Sequence, residues 1–232
     1  DLGYEVEWRV INAADYGFPQ RRRRVFIIAR RQRKSRKNGM AVVYESGVLA
    51  SSLPVHSEHR LALDEPHTFE LSGEIHEISA EFGRGVERTR FGSAGFARSH
   101  GVGAARTRLV WTYSPKAAFA GRASTLADVL QGQDVPEEFY VDEAALPRWQ
   151  KAKGSKSEKR VHKASGFIYH YTEGALPFPD PLNKPARTIL TSEGGSTPSR
   201  SKHIVAAEDG RFRRLTPVEL ERLNGFPVNH TD

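Results

Sequence analysis

Four consecutive arginines, Arg21 to Arg24, run directly into Val25, Phe26, Ile27, Ile28 and Ala29, with Gln20 and a "YGFP" turn in front of them. A guanidinium keeps its charge at any physiological pH and presents a rigid fork of donors, which suits the holding of a carbonyl, a carboxylate or a phosphate. Arginine is almost never fully buried unless it is paired. The apolar run behind it, bounded by a Gly-x-Pro turn, predicts a buried strand. Side chains alternate across a strand, so Arg22 and Arg24 share one face and Arg21 and Arg23 the other. The plain alternative for Arg22 and Arg24 is pairing with carboxylates of the core.

The remaining chemistry-bearing residues are mainly basic. Residues 30 to 37, "RRQRKSRK", hold six positive charges and no negative one, and read as a solvated loop. A second basic stretch, "KGSKSEKR", covers residues 153 to 160. The 232 residues carry a formal charge of +7 with a pI near 9.7. That balance favours anionic partners, nucleic acid before anionic membrane. No cysteine is present, which excludes disulfides, thiolate metal sites and a cysteine nucleophile within these residues. His56 and His59 stand three apart in a loop-like stretch without a second ligand pair and read as surface histidines. No P-loop, G-x-G-x-x-G or Ser-His-Asp arrangement is visible.

The positioning elements come next. Tyr4, Val6, Trp8, Val10 and Asn12 alternate with charged residues and predict a strand, antiparallel to the one at 25–29 because the link is short. The Arg/Gly-rich stretch from 88 to 113 predicts loops and edge strands, with a strand at 108–113. Ser124–Leu130 predicts a short helix, and "DEAALPRWQKAKG" a helix interrupted by Pro147. A lysine-rich loop then precedes an aromatic strand at 167–171, and a proline-punctuated link leads into a strand ending at "TIL". The clearest element is "LTPVELERLNGFP": Thr216 as N-cap, Pro217 at the first helical position, Glu219 closing a capping box and Gly225 ending the helix. No window is long and apolar enough to span a bilayer. Mean hydropathy of −0.56 fits a soluble globular protein. The first residues, without Met, and the last, just after a helix signal, are expected to be cuts through a larger protein.

Two segments resemble the DNA cytosine-5 methyltransferases. "NAADYGFPQRRRRVFIIA" is similar to that family's eighth motif, Gln-x-Arg-x-Arg before an apolar strand, at Gln20, Arg22 and Arg24. "RRLTPVELERLNGFP" is similar to its ninth at Arg214, Leu215, Thr216, Glu219, Arg222, Leu223, Gly225, Phe226 and Pro227. In the family these motifs flank a target-recognition domain, and here a long segment stands between them. Within it, "RTILTSEGG" resembles the Thr-Leu/Ile/Val pair and the recognition loop after it, at Thr188-Ile189. "KGSKSEKR" resembles the other recognition loop, at Lys153-Gly154 and Arg160.

The resemblance implies a reaction in which a thiolate adds to carbon 6 of a flipped cytosine while an acid near nitrogen 3 stabilises the developing charge. Its nucleophile, its acid and its S-adenosylmethionine loop have no counterpart in these residues. The implied fold is α/β: a partial Rossmann-like catalytic domain of two strands and a helix, with an inserted β- and loop-rich recognition domain. The expected limits are 1–40 for the catalytic strands, 41–210 for the recognition domain with its preceding loops, and 211–232 for the ninth-motif helix. By resemblance Arg24 reaches the cytosine carbonyl, Arg22 organises the pocket and Gln20 the turn. Lys153, Lys156, Lys159, Arg160, Thr188, Ser192, Glu193 and Arg200 are the implied DNA contacts. Double-stranded DNA is the implied partner, together with the catalytic portion supplied elsewhere. S-adenosylmethionine would serve the whole enzyme and is not expected to bind here, and no metal is expected. The implied setting is a cytoplasmic, bacterial-type restriction-modification system. A separate recognition subunit, a tRNA methyltransferase and a basic DNA-binding protein without methylation are the rivals. An exposed sheet edge is expected to favour self-association.

Overall fold

Alternation in the first residues does produce a strand, β1 (Tyr4–Asn12), paired antiparallel with β2 (Arg23–Arg31) so that Glu5 faces Arg30, Trp8 faces Ile27 and Ile11 faces Arg24. The computed structural model describes residues 3–31, 39–56, 67–71, 92–100, 107–132, 134–227 and 229–230. Most of the basic run at 30–37, His59 and parts of the Arg/Gly-rich stretch lie outside them. Two compact units are formed: residues 1–17 with 22–122, and residues 18–21 with 123–232. Their limits do not coincide with those expected at 40 and 210.

The first unit is built on a five-stranded sheet. Three further strands, β3 (His67–Leu71), β4 (Ala94–His100) and β5 (Thr107–Tyr113), complete it in the order β2-β1-β4-β5-β3, with every neighbour antiparallel. One face is covered by a helical run: α1 (Gly39–Ala41), a π turn (Val42–Ser46) and α2 (Val48–Ser52). Val42, Val43 and Tyr44 of that run pack on Ala94, Phe96 and Tyr113.

The polarity of β1 is inverted. Glu5, Glu7 and Arg9 point into the covered face and are buried, whereas Tyr4 and Val10 lie exposed on the other. The interior charges have work to do there. Glu7 accepts from the Leu49 amide at the start of α2, and Arg9 donates to the carbonyls of Val43 and Leu53. Glu5 pairs with Arg30. Gly95 of β4 is needed on the opposite face, because a Cβ there would lie 2.2 Å from the Trp8 ring.

Strand β2 is therefore not the buried strand its composition predicts. Val25 and Ile27 are 57% and 65% exposed. They share the uncovered face with Tyr4, Val6, Trp8 and Val10, and no described strand pairs with the outer edge of β2.

The second unit contains helix α3 (Leu146–Lys153), the hairpin β6 (Lys156–Val161) and β7 (Ile168–Glu173), the small pair β8 (Val205–Ala206) and β9 (Phe212–Arg213), and helix α4 (Pro217–Asn224). Pro147 sits in the first turn of α3 and starts that helix rather than interrupting it, since a first-turn amide needs no partner. The helix expected at 124–130 is a single 3-10 turn, Ala127–Val129. The link at 182–189 forms one isolated bridge instead of a strand. Leu126, Val129, Ala186, Val205, Leu215 and Leu223 form the core of this unit.

The two faces of the first sheet should respond differently to substitution. Phe96→Ala on the covered face is expected to cost about 3–5 kcal/mol. Ile27→Thr on the open face should stay within about 0.5 kcal/mol. Denaturant unfolding followed by tryptophan fluorescence reads both.

Candidate functional site

Three segments far apart in sequence meet at the turn before the arginines. Backbone pairing runs from Ala186 N–H to Pro19 O at 2.7 Å and from Arg21 N–H to Ala186 O at 2.8 Å, giving a parallel bridge between Gln20 and Ala186. The Thr188 hydroxyl donates to Arg21 O at 2.6 Å. Gln20 is 1% exposed and donates to Leu223 O at the end of α4, 3.3 Å away. The Thr188 hydroxyl, expected on a phosphate, is thus committed as a donor to the turn that leads into the arginines.

Helix α4 holds its side of this junction through its cap. The Glu219 amide reaches the Thr216 hydroxyl, and the Glu219 carboxylate accepts from the Thr216 amide at 2.9 Å, which is the reciprocal cap expected from sequence. The same carboxylate accepts two bonds from Arg213, at 2.7 and 2.9 Å, and one from the Gln131 amide at 2.7 Å. Gly225 closes the helix at φ 76°, in the left-handed region glycine tolerates. Arg222 donates to the carbonyls of Val129 and Leu130, and Arg214 to those of Glu138 and Gly194.

The segment 190–203, expected as a recognition loop, is held from beneath by buried charge. Asp180 accepts from Lys153 Nζ at 3.3 Å, from Arg187 Nε at 2.9 Å and from the Ile204 amide at 3.0 Å. Arg187 donates onward to the carbonyls of Ser201 and Lys202, and Lys153 also to Lys202 O. Lys202 donates to Gly195 O and Thr197 O, while Glu193 accepts from the His203 amide and ring. Burial alone would raise the Asp180 carboxyl, but the Arg187 bond, the charge of His203 and the Ile204 amide outweigh it and hold it below its ordinary value. Burial pushes the Lys153 ammonium below its ordinary value, against the pull of Asp180.

Three of the expected DNA contacts are accounted for by this framework. Lys153 is 1% exposed and Glu193 5%, so neither presents its charge to a ligand. Arg200 is partly buried, paired with Glu173 and donating to the carbonyls of Gly154 and Gly174. Ser192 stays exposed on the loop the framework supports.

The lysine-rich stretch is not a loop. Lys156, Lys159 and Arg160 lie on strand β6, in register with Glu173, His170 and Tyr169 of β7. Charged residues are poor strand formers, and cross-strand partners outweigh that preference here. Arg160 lies 3.5 Å over the Tyr171 ring and bonds Glu158.

In the first unit, Arg22 precedes β2 and is half-buried, and its carbonyl accepts from the Ala13 amide. Arg24 is exposed at the end of the covered face, with Nη1 on Arg23 O. Since β2 starts at Arg23, strand alternation applies to Arg23 and Arg24 and not to the whole run.

Comparison with known proteins matches residues 1–231 to the family of C-5 cytosine-specific DNA methylases. The chain belongs to that family. It is 34% identical over 239 aligned positions to the type II methyltransferase M.Sau3AI of Staphylococcus aureus, which covers the whole chain and 53% of the relative. A 32-residue match, 59% identical, links it to the type II methyltransferase M.MthTI of Methanothermobacter thermautotrophicus, over 14% of this chain and 10% of the other. The chain thus spans about half the length of M.Sau3AI. No solved structure matches it.

Several residues of this chain that order the junction and the loop carry no sequence signal. Asp180 stands between prolines in what reads as a linker, and Arg187, Gln131 and His203 are single residues outside any periodic pattern. Among the described residues, no group of three or more His, Cys, Asp or Glu could hold a metal, and no helix is long and apolar enough to cross a membrane.

Asp180→Asn leaves two cations without their carboxylate and should destabilise the second unit by about 3–5 kcal/mol. The depressed folded-state pKa of Asp180 also sets an acid limit. Its contribution is complete above the unfolded value of roughly 3.9 and is lost as pH falls through the folded value. Thermal melts between pH 2 and 5 should show this loss in the wild type below about pH 4 and a flatter profile in Asp180→Asn.

Proposed function

We propose that this chain is the DNA-recognition and pocket-supporting portion of a bacterial-type restriction-modification cytosine-5 methyltransferase. It binds duplex DNA sequence-selectively and helps present a flipped cytosine for methylation at carbon 5. The observation that carries the proposal is the junction itself, where Gln20 and Arg21, Thr188 and α4 are bonded together across the sequence. Such a junction ties the element that grips DNA to the arginines that meet the base.

In this reading Arg24 donates to the carbonyl oxygen of the extruded cytosine, Arg22 organises the pocket, and Gln20 fixes the turn from which both arise. Arginine meets the requirement because its charge persists and its donor geometry is rigid. Lys159 and Ser192 face the duplex, Lys156 and Arg160 flank it from the other face of the hairpin, and Thr188 anchors the junction. Residues 1–40 and 211–232 contribute to the catalytic domain and 41–210 to recognition. The thiolate that adds to carbon 6 comes from outside these residues, because they contain no cysteine.

The family implies S-adenosylmethionine, which supplies the methyl group. Ribose hydroxyls call for a free carboxylate partner, and the carboxylate at the junction, Glu219, is buried and committed to Arg213, the Thr216 amide and the Gln131 amide, so the residues there do not fit the cofactor. The open face of the first sheet and the outer edge of β2 are where the rest of the catalytic domain docks. Each aliphatic side chain there gains about 1.5–3 kcal/mol on full burial.

Two outcomes test the proposal. Duplex binding, followed by fluorescence anisotropy, should weaken steeply as salt rises from 50 to 200 mM, as phosphate contacts require. The chain alone should transfer no labelled methyl group to duplex DNA in the presence of S-adenosylmethionine; transfer would refute the assignment. Alone, the chain is also expected to self-associate through its open face, and Val25→Asp with Ile27→Asp should return it to a monomer in sedimentation velocity.

A further inference from the structure

The β6–β7 hairpin projects from the second unit as a two-stranded ribbon. Val161, Phe167 and Ile168 are 59%, 66% and 63% exposed, and all of β6 except half-buried Arg160 is open to solvent. A ribbon of two strands fits the major groove of duplex DNA. Between the ends of the hairpin stand four Lys and Arg against two Glu, with His162 and His170 besides.

Its two faces differ in kind. Residues directly opposite in an antiparallel pair share a face, so Glu158, Arg160, Tyr169, Tyr171 and Glu173 lie together with Lys156. That face is internally tied. Arg160 covers the Tyr171 ring and bonds Glu158, Tyr171 donates to Glu173, and Glu173 pairs with Arg200 at 3.0 Å. Arg200 in turn donates to Gly154 O at 2.6 Å and to Gly174 O, at the root of the ribbon. Both carboxylates of the ribbon are here, a poor match for phosphates.

The opposite face carries Ser157, Lys159, Val161, Ile168, His170 and Thr172, and no acid. It offers a hydroxyl pair, an ammonium, an imidazole and two aliphatic groups of the kind that meet a thymine methyl. His170 Nδ1 lies 3.5 Å from the Ser157 hydroxyl, which leaves Nε2 for a base edge.

We propose that this ribbon enters the major groove with its Ser157–Lys159–His170 face toward the bases, that Lys159 and His170 determine sequence preference, and that Arg160 is a strut. The inference rests on the DNA-binding reading above and reassigns the base-reading role that resemblance gives to Arg160. Lys159 and His170 pair directly across the two strands, so together they address one base step. The Arg160–Tyr171–Glu173–Arg200 chain fixes the angle at which the ribbon leaves the body.

The test uses the whole chain and a duplex library with a randomised core, enriched by one round of binding. Preference is the ratio of affinity for the enriched pool to that for the unselected pool. His170→Ala and Lys159→Ala should each lower the preference of the wild type by roughly 5- to 100-fold, or to unity where it starts smaller. Arg160→Ala should weaken both pools alike and keep their ratio. Circular dichroism melts within a few degrees of wild type exclude unfolding at these exposed positions, and His170→Asn and Lys159→Gln replace any variant that fails this check. Loss of preference in Arg160→Ala with preference intact in the other two would overturn the ribbon assignment alone. A wild-type chain that enriches no sequence would overturn the DNA-recognition reading and the ribbon with it.

Discussion

The segment at residues 190–203 of the second unit depends on one buried carboxylate. Asp180 accepts from Lys153, from Arg187 and from the Ile204 amide, and its two cationic partners reach on to backbone carbonyls of the following loop. Burying these charges is unfavourable, and the arrangement survives only because every cation finds further acceptors. What results is shape: a glycine-rich segment with few side chains to pack is given a fixed backbone from below. The exposed groups along it inherit that fixed position without spending their own donors.

The same division of labour holds in the first unit. Charges of β1 are turned inward to terminate helical turns, while its aliphatic and aromatic groups are turned outward. A sheet so arranged is stable on one side only. Its open side has the composition of an interior.

How much was legible in the sequence depends on the range of the forces involved. Helix α4 could be written down residue by residue, because Thr216, Pro217, Glu219 and Gly225 act within one helical turn of one another. Strands β1 and β2 and their pairing followed from alternation and a short link. The burial of β2 did not follow, since composition reports which residues favour an interior and not whether an interior covers them. The β6 strand was hidden because lysines and a glutamate suggest a loop until their cross-strand partners are known. Lys153 and Glu193 read as exposed residues in the sequence and are buried in the structure. A basic residue beside a glycine looks solvent-facing, and only Asp180 and His203, 27 and 10 residues away, draw these two inward.

The bond from Gln20 to the Leu223 carbonyl joins residues 203 positions apart. Closing so long a loop is entropically costly and slow. During synthesis the first sheet emerges early and can pair its strands at once, but the turn at residues 18–21 gains Ala186 and Thr188 only much later and its last partner only with α4. Gln20 and Arg21 therefore acquire their final setting last, after Arg23 and Arg24 have paired in the sheet. A chain interrupted anywhere between the two motifs would leave that turn loose, so order at residues 18–21 reports that both motifs are present and joined.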